Sequence, residues 1–513
     1  MSRGRSAGTP RRCPWFDGRS LTRSRTRAAP AGSRYPLMPS DPAASAAPDF
    51  RRLAIVVAIG AAVYWILPRP ESVSDEGWRL TGVFASAIAG LMLRPLPGGA
   101  VLLLALVAAV WCGTMSIDQA LAGFATPAVW LVVGALLIAH VLIATNLAKR
   151  IALLFVRYFG TNSKGVAYAL ILSDLSLATM IPSNTSRAGG VIMPITRSMA
   201  ELYGSRPGPT AKLLGTFLMV AVYQGEIVAT ATFLTGQAGN FVAVELARTL
   251  ADYELTWAHW AAAGIVPGLA SIVGLVWIVA KLVPPDIQRT PHAAQFAKDE
   301  LHKLGKMGPR EWFTTALVCA VCGLWITSNL HAVPVALASV SGACVLIISG
   351  VLPWREAVRQ HGVWDIMIWY GGVITLGRAL SDAGVPRALT DAIGAGLGDM
   401  PWLPMLAIAL PIYFFAHYGL ASITMHFLTL FPVFLLLLLG QGAPVGLMVY
   451  LLACLANLSA GLTHYGTVPS PIFYSQDYAS FKQWWSVGFV VALWNVFVWC
   501  TIGTLWWKLI GIW

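Results

Sequence analysis

The sequence predicts an all-α membrane protein with about eleven transmembrane helices and two re-entrant hairpins. Composition and pattern point to this fold class. The chain has 513 residues, of which 57% are hydrophobic and 11% charged, whereas soluble domains carry about 25% charged residues. Its mean hydropathy is +0.67. Apolar stretches of about 20 residues, the length needed to cross a bilayer, recur along the chain with short polar gaps.

Each apolar run defines one predicted span. The runs lie at 52–68, 78–94, 98–114, 126–147, 211–234, 258–283, 312–328, 333–352, 363–380, 441–463 and 485–512. Two further segments, 160–200 and 386–437, are apolar but interrupted by Pro, Gly, Ser and Thr. The first begins and ends at basic connections, so it must return to the side from which it entered, and we expect the second to mirror it from the opposite side.

The charges in the connections orient the predicted spans. Basic residues mark one set of connections, namely Arg51, Arg52, Arg94, Lys149, Arg150, Arg197 and Arg206. Acidic residues mark the alternate set, namely Asp75, Glu76, Asp118, Asp252 and Glu254. Because cytoplasmic loops carry the excess of Lys and Arg, we expect the N-terminus inside. The basic connection 284–311 then also lies inside, and the spacing of its apolar residues predicts a short interfacial helix.

The net charge of +12 does not indicate a nucleic-acid-binding protein, because much of the excess lies in residues 1–50 and the rest in short connections. Residues 1–50 are rich in Arg, Ser, Ala and Pro and lack the apolar core of a secretory signal. They are expected to form a basic disordered tail. An organelle transit peptide and a translation start at Met38 are the alternatives. The transporter-like part of the chain is residues 51–513.

The two halves of this part are related by an internal repeat. At a spacing of 238 residues, Gly134 falls on Gly372, Lys149 on Arg387 and Pro194 on Pro432. We therefore expect a first repeat at 78–283 and a second at 312–513, joined by 284–311. The intervening number of spans is odd, so the repeats would have opposite orientations, which is typical of secondary transporters.

Each repeat contains two polar interruptions inside apolar sequence. In the first repeat they are Ser183-Asn184-Thr185 and the segment from Thr235 to Asn240. In the second they are Ser422-Ile423-Thr424 and the segment from Thr463 to Ser470, in which Gly466 corresponds to Gly236. Non-helical backbone at membrane depth is tolerated only where it is buried in protein or lines a wet cavity. We therefore expect the four interruptions to share one cavity.

Such interruptions suit an anionic ligand. A helix that restarts within the membrane has free N–H groups and a positive dipole end, and both favour anions. Ser, Thr and Asn add hydroxyl and amide donors at these helix starts. Two facing tips would each hold one carboxylate and would select a short dicarboxylate by the distance between its ends. The expected ligand residues include Asn240 and Thr467 in the later interruptions.

Ionisable residues near the interruptions leave alternatives open. Arg187 contacts a substrate carboxylate, pairs with a nearby acid such as Asp174, or snorkels towards the membrane surface. His464 either donates to a carboxylate, or carries a proton, or has a structural role. Glu226 is an intramembrane acid that is either a cation or proton site or a structural residue. No histidine has the ligand spacing of a metalloenzyme, and no nucleophile stands beside a base, so an enzyme is not indicated.

The motifs Pro-Ser-Asn-Thr-x-Arg-Ala-Gly-Gly (182–190) and Leu-Thr-His-Tyr-Gly-Thr-x-Pro-x-Pro-Ile-Phe (462–473) resemble the divalent-anion:sodium symporter superfamily. Within it they are most similar to the branch of 2-oxoglutarate/malate translocators and citrate/succinate and tartrate/succinate antiporters. The resemblance implies an elevator-type homodimer in which Ser-Asn-Thr tips bind substrate carboxylates. In the symporters, adjoining backbone carbonyls bind sodium, which would place a sodium site near Ser183, Asn184 and Gly236.

The chain departs from the symporter pattern at the second tip, where Ile423 stands in place of asparagine. This departure puts a second sodium site in doubt and fits exchangers. The resulting hypothesis is exchange of C4–C5 dicarboxylates such as malate, succinate and 2-oxoglutarate, with citrate or tartrate as further substrates. The alternative is sodium- or proton-coupled symport of the same anions. We expect the protein to lie in a bacterial cytoplasmic membrane. We expect it to bind no organic cofactor and no metal other than sodium.

Overall fold

The computed structural model describes residues 48–388, 391, 400–420 and 422–513. Most of the predicted tail, 1–47, lies outside the described residues. Every one of the eleven predicted spans contains a helix. In the first half, the helices are Phe50–Ile66, Asp75–Leu93, Gly98–Trp111, Ile117–Ala122, Pro127–Ala144, Leu147–Phe159, Ser163–Ala178, Asn184–Arg187, Met193–Leu202, Gly215–Thr232, Gly239–Ala251 and Trp257–Leu282.

The second half follows a connecting helix, Ala293–Leu304. Its helices are Pro309–Ile326, Val335–Ile348, Trp354–Val358, His361–Asp382, Trp402–Phe415, Ile423–Thr429, Phe431–Gly440, Val445–Leu458, Pro469–Tyr474, Phe481–Val498 and Thr504–Leu509. The order from Val335 to Leu509 follows that from Gly98 to Leu282. In both, an apolar helix, a short helix and a long helix precede a hairpin, a buried helix, a break and the last helices.

Some helical stretches are long and apolar enough to cross a membrane by length and composition. They are Pro127–Ala144, Trp257–Leu282, Trp402–Gly419, Val445–Leu462 and Phe481–Leu509. The pair Ile423–Thr429 and Phe431–Gly440 also meets this criterion, with a bend of 42° at its break. Large apolar side chains are exposed on the outside of the bundle, including Trp65, Trp111, Ile348 and Leu509. Such a surface fits lipid better than water.

Two helices form the centre of the described structure. Every residue of Gly215–Thr232 is buried. Nearly all of Val445–Leu458 is buried as well, and the two helices pack against each other. We call them the first and second core helices. Each leads directly into one of the predicted interruptions, so the polar segments at their ends lie deep inside the protein.

Both predicted segments contain a helix, a short tip and a second helix, and residues 389–390 and 392–399 of the second segment lie outside the described residues. The first hairpin runs through Ser163–Ala178, a tip at 179–183 and the helix from Asn184 to Leu202. This last helix is continuous but widens to a π-helix at Ala188–Ile192. The second hairpin runs through Trp402–Phe415, a tip around Ser422 and the helices Ile423–Thr429 and Phe431–Gly440. Pro182 cannot continue the incoming helix, and Ser183 is a favoured residue for starting the next one.

Ion pairs hold the basic connection 284–311 and the start of the next helix against the first half. Helix Leu147–Phe159 packs against the connecting helix Ala293–Leu304. Arg150 donates from Nη2 to Glu311 Oε1 at 3.1 Å, and Lys149 Nζ lies 3.0 Å from Glu300 Oε2. Lys303 and then Lys149 hold the pKa of Glu300 below its ordinary value by hydrogen bonding. The predicted short helix in 284–311 is therefore present, and its buried face packs on the first half.

Close helix packing between the two repeats predicts a stability difference between two glycine substitutions. A Cβ at Gly134 would lie 2.8 Å from the backbone carbonyl carbon and oxygen of Ser339, which cannot move freely. A Cβ at Gly323 would meet nothing within 4 Å. We expect Gly134→Ala to destabilise the protein by about 1–3 kcal/mol through overpacking. The matched control Gly323→Ala should be neutral or stabilising, because alanine favours helix. Thermal unfolding in detergent measures both, and equal effects would contradict this packing.

Candidate functional site

The first tip starts its helix as the sequence predicts. Ser183 is the N-cap in extended conformation, and its Oγ accepts a hydrogen bond from Ser186 N at 3.2 Å. Asn184 Oδ1 accepts from Thr185 N at 2.9 Å. Asn184 is 8% exposed, whereas Ser183 and Thr185 are partly exposed. The tip therefore presents two hydroxyl-bearing residues at a helix start.

The first tip contacts the interruption of the other half. Asn184 Nδ2 donates to Thr467 Oγ1 at 3.3 Å. Next to it, a Cβ at Gly189 would lie 3.3 Å from Ile472 Cδ1, so the tip helix packs on the helix that follows the second break. We use "first break" for residues 233–238 and "second break" for residues 459–468. Asn184 and Thr467, separated widely in sequence, are thus neighbours.

The second tip makes the reciprocal contact. Ser422 is extended and precedes the helix Ile423–Thr429, and Ser422 and Thr424 are both partly exposed. A Cβ at Gly239 would lie 2.9 Å from Thr424 Oγ1, so this hydroxyl stands against the helix that follows the first break. Each tip therefore touches the break region of the opposite half. The structure brings all four predicted interruptions into one polar centre.

An amide network joins the first break to Asn457, near the end of the second core helix that leads into the second break. Gln237 Nε2 donates to Asn457 Oδ1 at 2.7 Å, and Asn457 Nδ2 donates to Asn240 Oδ1 at 2.9 Å. Asn240 Nδ2 in turn donates to the carbonyls of Thr230 and Phe233, each at 3.0 Å. Asn240 is fully buried, so its amide satisfies backbone groups that the break leaves without helical partners.

Asn457 was missed by the sequence analysis. The sequence feature that could have identified it is a single amide within the apolar run Cys454-Leu455-Ala456-Asn457-Leu458. A polar side chain inside a membrane segment marks an interhelical contact or a site by default. Its partner Gln237, however, lies 220 residues away, and only the tertiary structure reveals the pairing.

The two predicted threonines of the breaks are held differently. Thr235 is 1% exposed, donates to Thr179 O at 3.0 Å and accepts from Trp257 Nε1 at 3.1 Å. Its hydroxyl therefore fixes the first break to the first tip. Thr467 accepts from Asn184, and its backbone N–H donates to Ser470 Oγ at 3.1 Å. Thr467 lies directly beside the first tip.

Of its predicted environments, Arg187 occupies the pairing with Asp174. Its guanidinium is fully buried, with Nε donating to Asp174 Oδ1 at 2.9 Å. Nη1 donates to the carbonyls of Ile181 at 2.9 Å and Gly236 at 2.6 Å. The guanidinium thus links the first tip to the first break. The prediction of Arg187 as a direct substrate ligand is not supported by this geometry, because its donors point to protein acceptors.

A histidine holds the corresponding glycine of the second break. His417 Nε2 lies 2.9 Å from Gly466 O, and its Nδ1 lies 3.1 Å from His426 Nδ1. Both imidazoles are fully buried. Gly236 and Gly466, which the sequence places in correspondence, therefore each have a carbonyl held by a nitrogen of their own half's hairpin. The cationic guanidinium in one half is replaced by an imidazole in the other.

His464 lies in an aromatic cluster at the outer part of the second break. Its Nδ1 accepts from Trp485 Nε1 at 3.2 Å, and its ring packs against those of Tyr465, Tyr474 and Phe481. These contacts correspond to the structural role that the sequence analysis left open for this residue. Within the described residues, no hydrogen bond joins His464 to either tip.

A cavity of about 650 Å³ lies beside the first break. Of the predicted site residues, Thr235 lines it, whereas neither tip does. Its charged wall contains Glu245, whose Oε1 accepts from Arg248 Nη2 at 2.7 Å and from Arg378 Nε at 2.9 Å. Arg248 follows the first break and Arg378 lies in His361–Asp382, so this ion-pair cluster joins the two halves.

Paired hairpins whose tips meet two mid-membrane breaks define a secondary membrane transporter. A family model of the sodium:sulfate symporter transmembrane region matches residues 48–513, and the chain belongs to this family. It is 36% identical to the putative malate transporter YflS of Bacillus subtilis, over 90% of this chain and 96% of that protein. It is 34% identical to the chloroplastic dicarboxylate transporter 1 of Spinacia oleracea, over 88% and 80% of the two chains.

A solved structure shares the fold at low sequence identity. The YdaH transporter of Alcanivorax borkumensis matches with a TM-score of 0.50 and 13% identity, covering 90% of this chain and 98% of that one. The described residues thus form an all-helical transporter fold. This agrees with the resemblance drawn from the motifs at 182–190 and 462–473.

The Arg187 contacts predict that lysine cannot replace it. Lysine lacks the planar fork that contacts Asp174, Ile181 and Gly236 together. Breaking a buried pair costs about 3–5 kcal/mol, and we expect Arg187→Lys to lose a substantial part of that in stability. Arg206→Lys, at an exposed position, is the matched control and should unfold like the wild type. Thermal unfolding in detergent tests this, and equal midpoints for both variants would refute a structural role for the guanidinium.

Proposed function

We propose that this protein exchanges C4–C5 dicarboxylates, such as malate, succinate and 2-oxoglutarate, across the membrane. The observation that carries the proposal is the reciprocal contact of each tip with the break region of the other half. This contact assembles two helix starts, with their hydroxyls, around one centre. The names of the relatives, a putative malate transporter and a dicarboxylate transporter, support the substrate class.

The two tips would each receive one carboxylate. At the first tip, Ser183, Asn184 and Thr185 would bind one end through hydroxyl and amide donors and the helix start. At the second tip, Ser422 and Thr424 would bind the other end. Helix N-termini attract anions because their N–H groups and dipoles point outward. A short dianion satisfies both tips at once, whereas a monocarboxylate would leave one tip without its charge partner.

The contacts of the break glycines support exchange without sodium. A sodium ion at the first tip would be coordinated by oxygens that include the Gly236 carbonyl. In this chain that carbonyl already accepts from the Arg187 guanidinium, and the Gly466 carbonyl faces His417. The residues present therefore do not fit a sodium ion at either break. The Arg187 guanidinium and the His417 imidazole would take the place of sodium as partners of these two carbonyls.

The proposal extends to the mode of transport and the assembly. We infer that the hairpins, core helices and breaks move together past the remaining helices, as in an elevator-type transporter. The repeated order of helices supports such a mechanism, because opposed repeats can exchange inward- and outward-facing arrangements. A homodimer in a bacterial cytoplasmic membrane, with the N-terminus inside, rests on the family resemblance and the loop charges.

Counterflow in proteoliposomes tests the proposed function. Vesicles loaded with unlabelled malate should take up labelled malate, succinate or 2-oxoglutarate in sodium-free buffer, and empty vesicles should not. Addition of a sodium gradient should leave the rate unchanged. Uptake into empty vesicles that depends on a sodium or proton gradient would replace exchange by symport. Non-saturable flux would indicate a channel.

Substitutions at the tips test the assignment of the ligands. We expect Asn184→Ala and Thr424→Val each to reduce exchange at least tenfold, because removal of a hydrogen-bonding partner of a charged group costs about 1.5–3 kcal/mol. Gln295→Ala, an exposed amide in the connecting helix, is the matched control and should exchange like the wild type. The amount of folded protein is checked by size-exclusion chromatography. Wild-type rates in both tip variants would remove these residues from the site.

A further inference from the structure

A charge cluster lies below the first tip and has no direct role in the proposed dicarboxylate site. Asp174 lies in the first arm of the first hairpin, Arg187 in the tip helix and Glu226 in the first core helix. The side chains of all three are fully buried. One guanidinium therefore stands between two carboxyl groups. If both were ionised, the cluster would carry a net negative charge in a low-dielectric interior, which is strongly unfavourable.

The donors of Arg187 are directed away from Glu226. Nε contacts Asp174, and Nη1 contacts the carbonyls of Ile181 and Gly236. The remaining nitrogen, Nη2, donates to Thr230 Oγ1 at 3.4 Å and lies 3.9 Å from Glu226 Oε1, which is beyond hydrogen-bond distance. Within the described residues, Asp174 Oδ2 and Glu226 Oε2 are both buried without a hydrogen-bond partner, but only Asp174 accepts a hydrogen bond from the guanidinium. Asp174 is thus the carboxylate that pairs with the guanidinium.

The hydroxyl of Thr230 contacts two oxygens of Glu226. Its Oγ1 is 2.8 Å from the backbone carbonyl of Glu226, one turn earlier, and 3.2 Å from Glu226 Oε1. A hydroxyl has one proton, and a threonine within a helix commonly donates it to the carbonyl four residues before. With the proton placed there, a neutral carboxyl would supply the proton for the contact between Oε1 and Oγ1.

We propose that Glu226 is a proton-binding site, in which the neutral carboxyl donates from Oε1 to Thr230 Oγ1. Asp174 alone then neutralises Arg187, and the cluster has no net charge. The charged groups that act on Glu226 in the described structure are Asp174 from the first hairpin and Arg187 from the tip helix. Tyr223, one turn earlier on the same core helix, is the remaining titratable neighbour. The ligand of this site is a proton rather than a metal ion.

The state of Glu226 is linked to the first tip through Arg187. Loss of the proton would place a second negative charge 3.9 Å from Nη2 and attract the guanidinium towards the core helix. The contacts of Nη1 with Ile181 and Gly236, which hold the tip to the first break, would then weaken. The protonated form is therefore the form with an intact first tip, and it is lost as pH rises.

Infrared difference spectroscopy of the purified full-length protein detects this proton directly. We expect a carbonyl stretching band of a protonated carboxyl at neutral pH that disappears in alkaline buffer. Glu226→Gln should remove the band, because its amide cannot be titrated. Glu201→Gln, which replaces a surface glutamate paired with Arg197, is the matched control and should retain the band. Absence of a band that depends on Glu226 would overturn the proposal.

A second test, the pH dependence of the exchange rate, rests on the proposed exchange activity. Between about pH 6.5 and pH 9 malate remains a dianion, so its own charge is constant. Wild type and Glu201→Gln should lose at least about fivefold in exchange rate towards the alkaline end, since the protonated form disappears. Glu226→Gln should retain exchange with a flat pH profile, because its amide donates to Thr230 as the neutral carboxyl does.

The infrared experiment and the exchange experiment can fail independently of each other. A folded Glu226→Gln variant that does not exchange at any pH would show that the ionised carboxylate is needed, and would overturn the proposal. Identical pH profiles for Glu226→Gln and wild type would do the same. An absence of exchange in the wild type, together with the Glu226 infrared band, would instead reject the proposed function and leave the proton site in place.

Discussion

The structure depends on one constraint, which is that backbone groups released by broken helices inside a membrane must find partners within the protein. Two core helices end deep inside the bundle, and each break leaves carbonyl and N–H groups without helical partners. Asn240 satisfies Thr230 and Phe233, Arg187 satisfies Ile181 and Gly236, and His417 satisfies Gly466. Lipid offers no alternative partner, so these buried polar side chains are required wherever the breaks exist.

The same constraint explains why the two halves meet at the centre. Each tip and each break presents polar groups that lipid would reject, and the most favourable arrangement places them against each other. Asn184 reaches Thr467 across the halves, and Gln237 reaches Asn457. The resulting centre combines rigid, fully satisfied amides with a few partly exposed hydroxyls. The buried amides hold the breaks in place, and the partly exposed hydroxyls are the donors that the proposed exchange would use.

Charge in the centre is distributed unequally between the halves. The first half uses a guanidinium with two acids, whereas the second uses two imidazoles in contact with each other. Both arrangements hold a glycine carbonyl, but only the first carries a formal cation. Asp174 pairs with this guanidinium, so the cation serves to hold the backbone of the first break.

The sequence by itself determined the helical spans, the two hairpins and the polar interruptions. Runs of apolar residues have no other stable state in a bilayer than a helix, and Pro182, Ser183 and Gly236 interrupt these runs in recognisable ways. Motif resemblance also led to the family. The sequence could not decide whether Arg187 meets a substrate or Asp174, nor that Asn457 contacts the first break. Both answers depend on which side chains approach in three dimensions, and in a buried site the nearest acceptor determines the role of a charged donor. Only the tertiary structure decided that Arg187 holds Gly236 and that Glu226 is left without a charged hydrogen-bond partner.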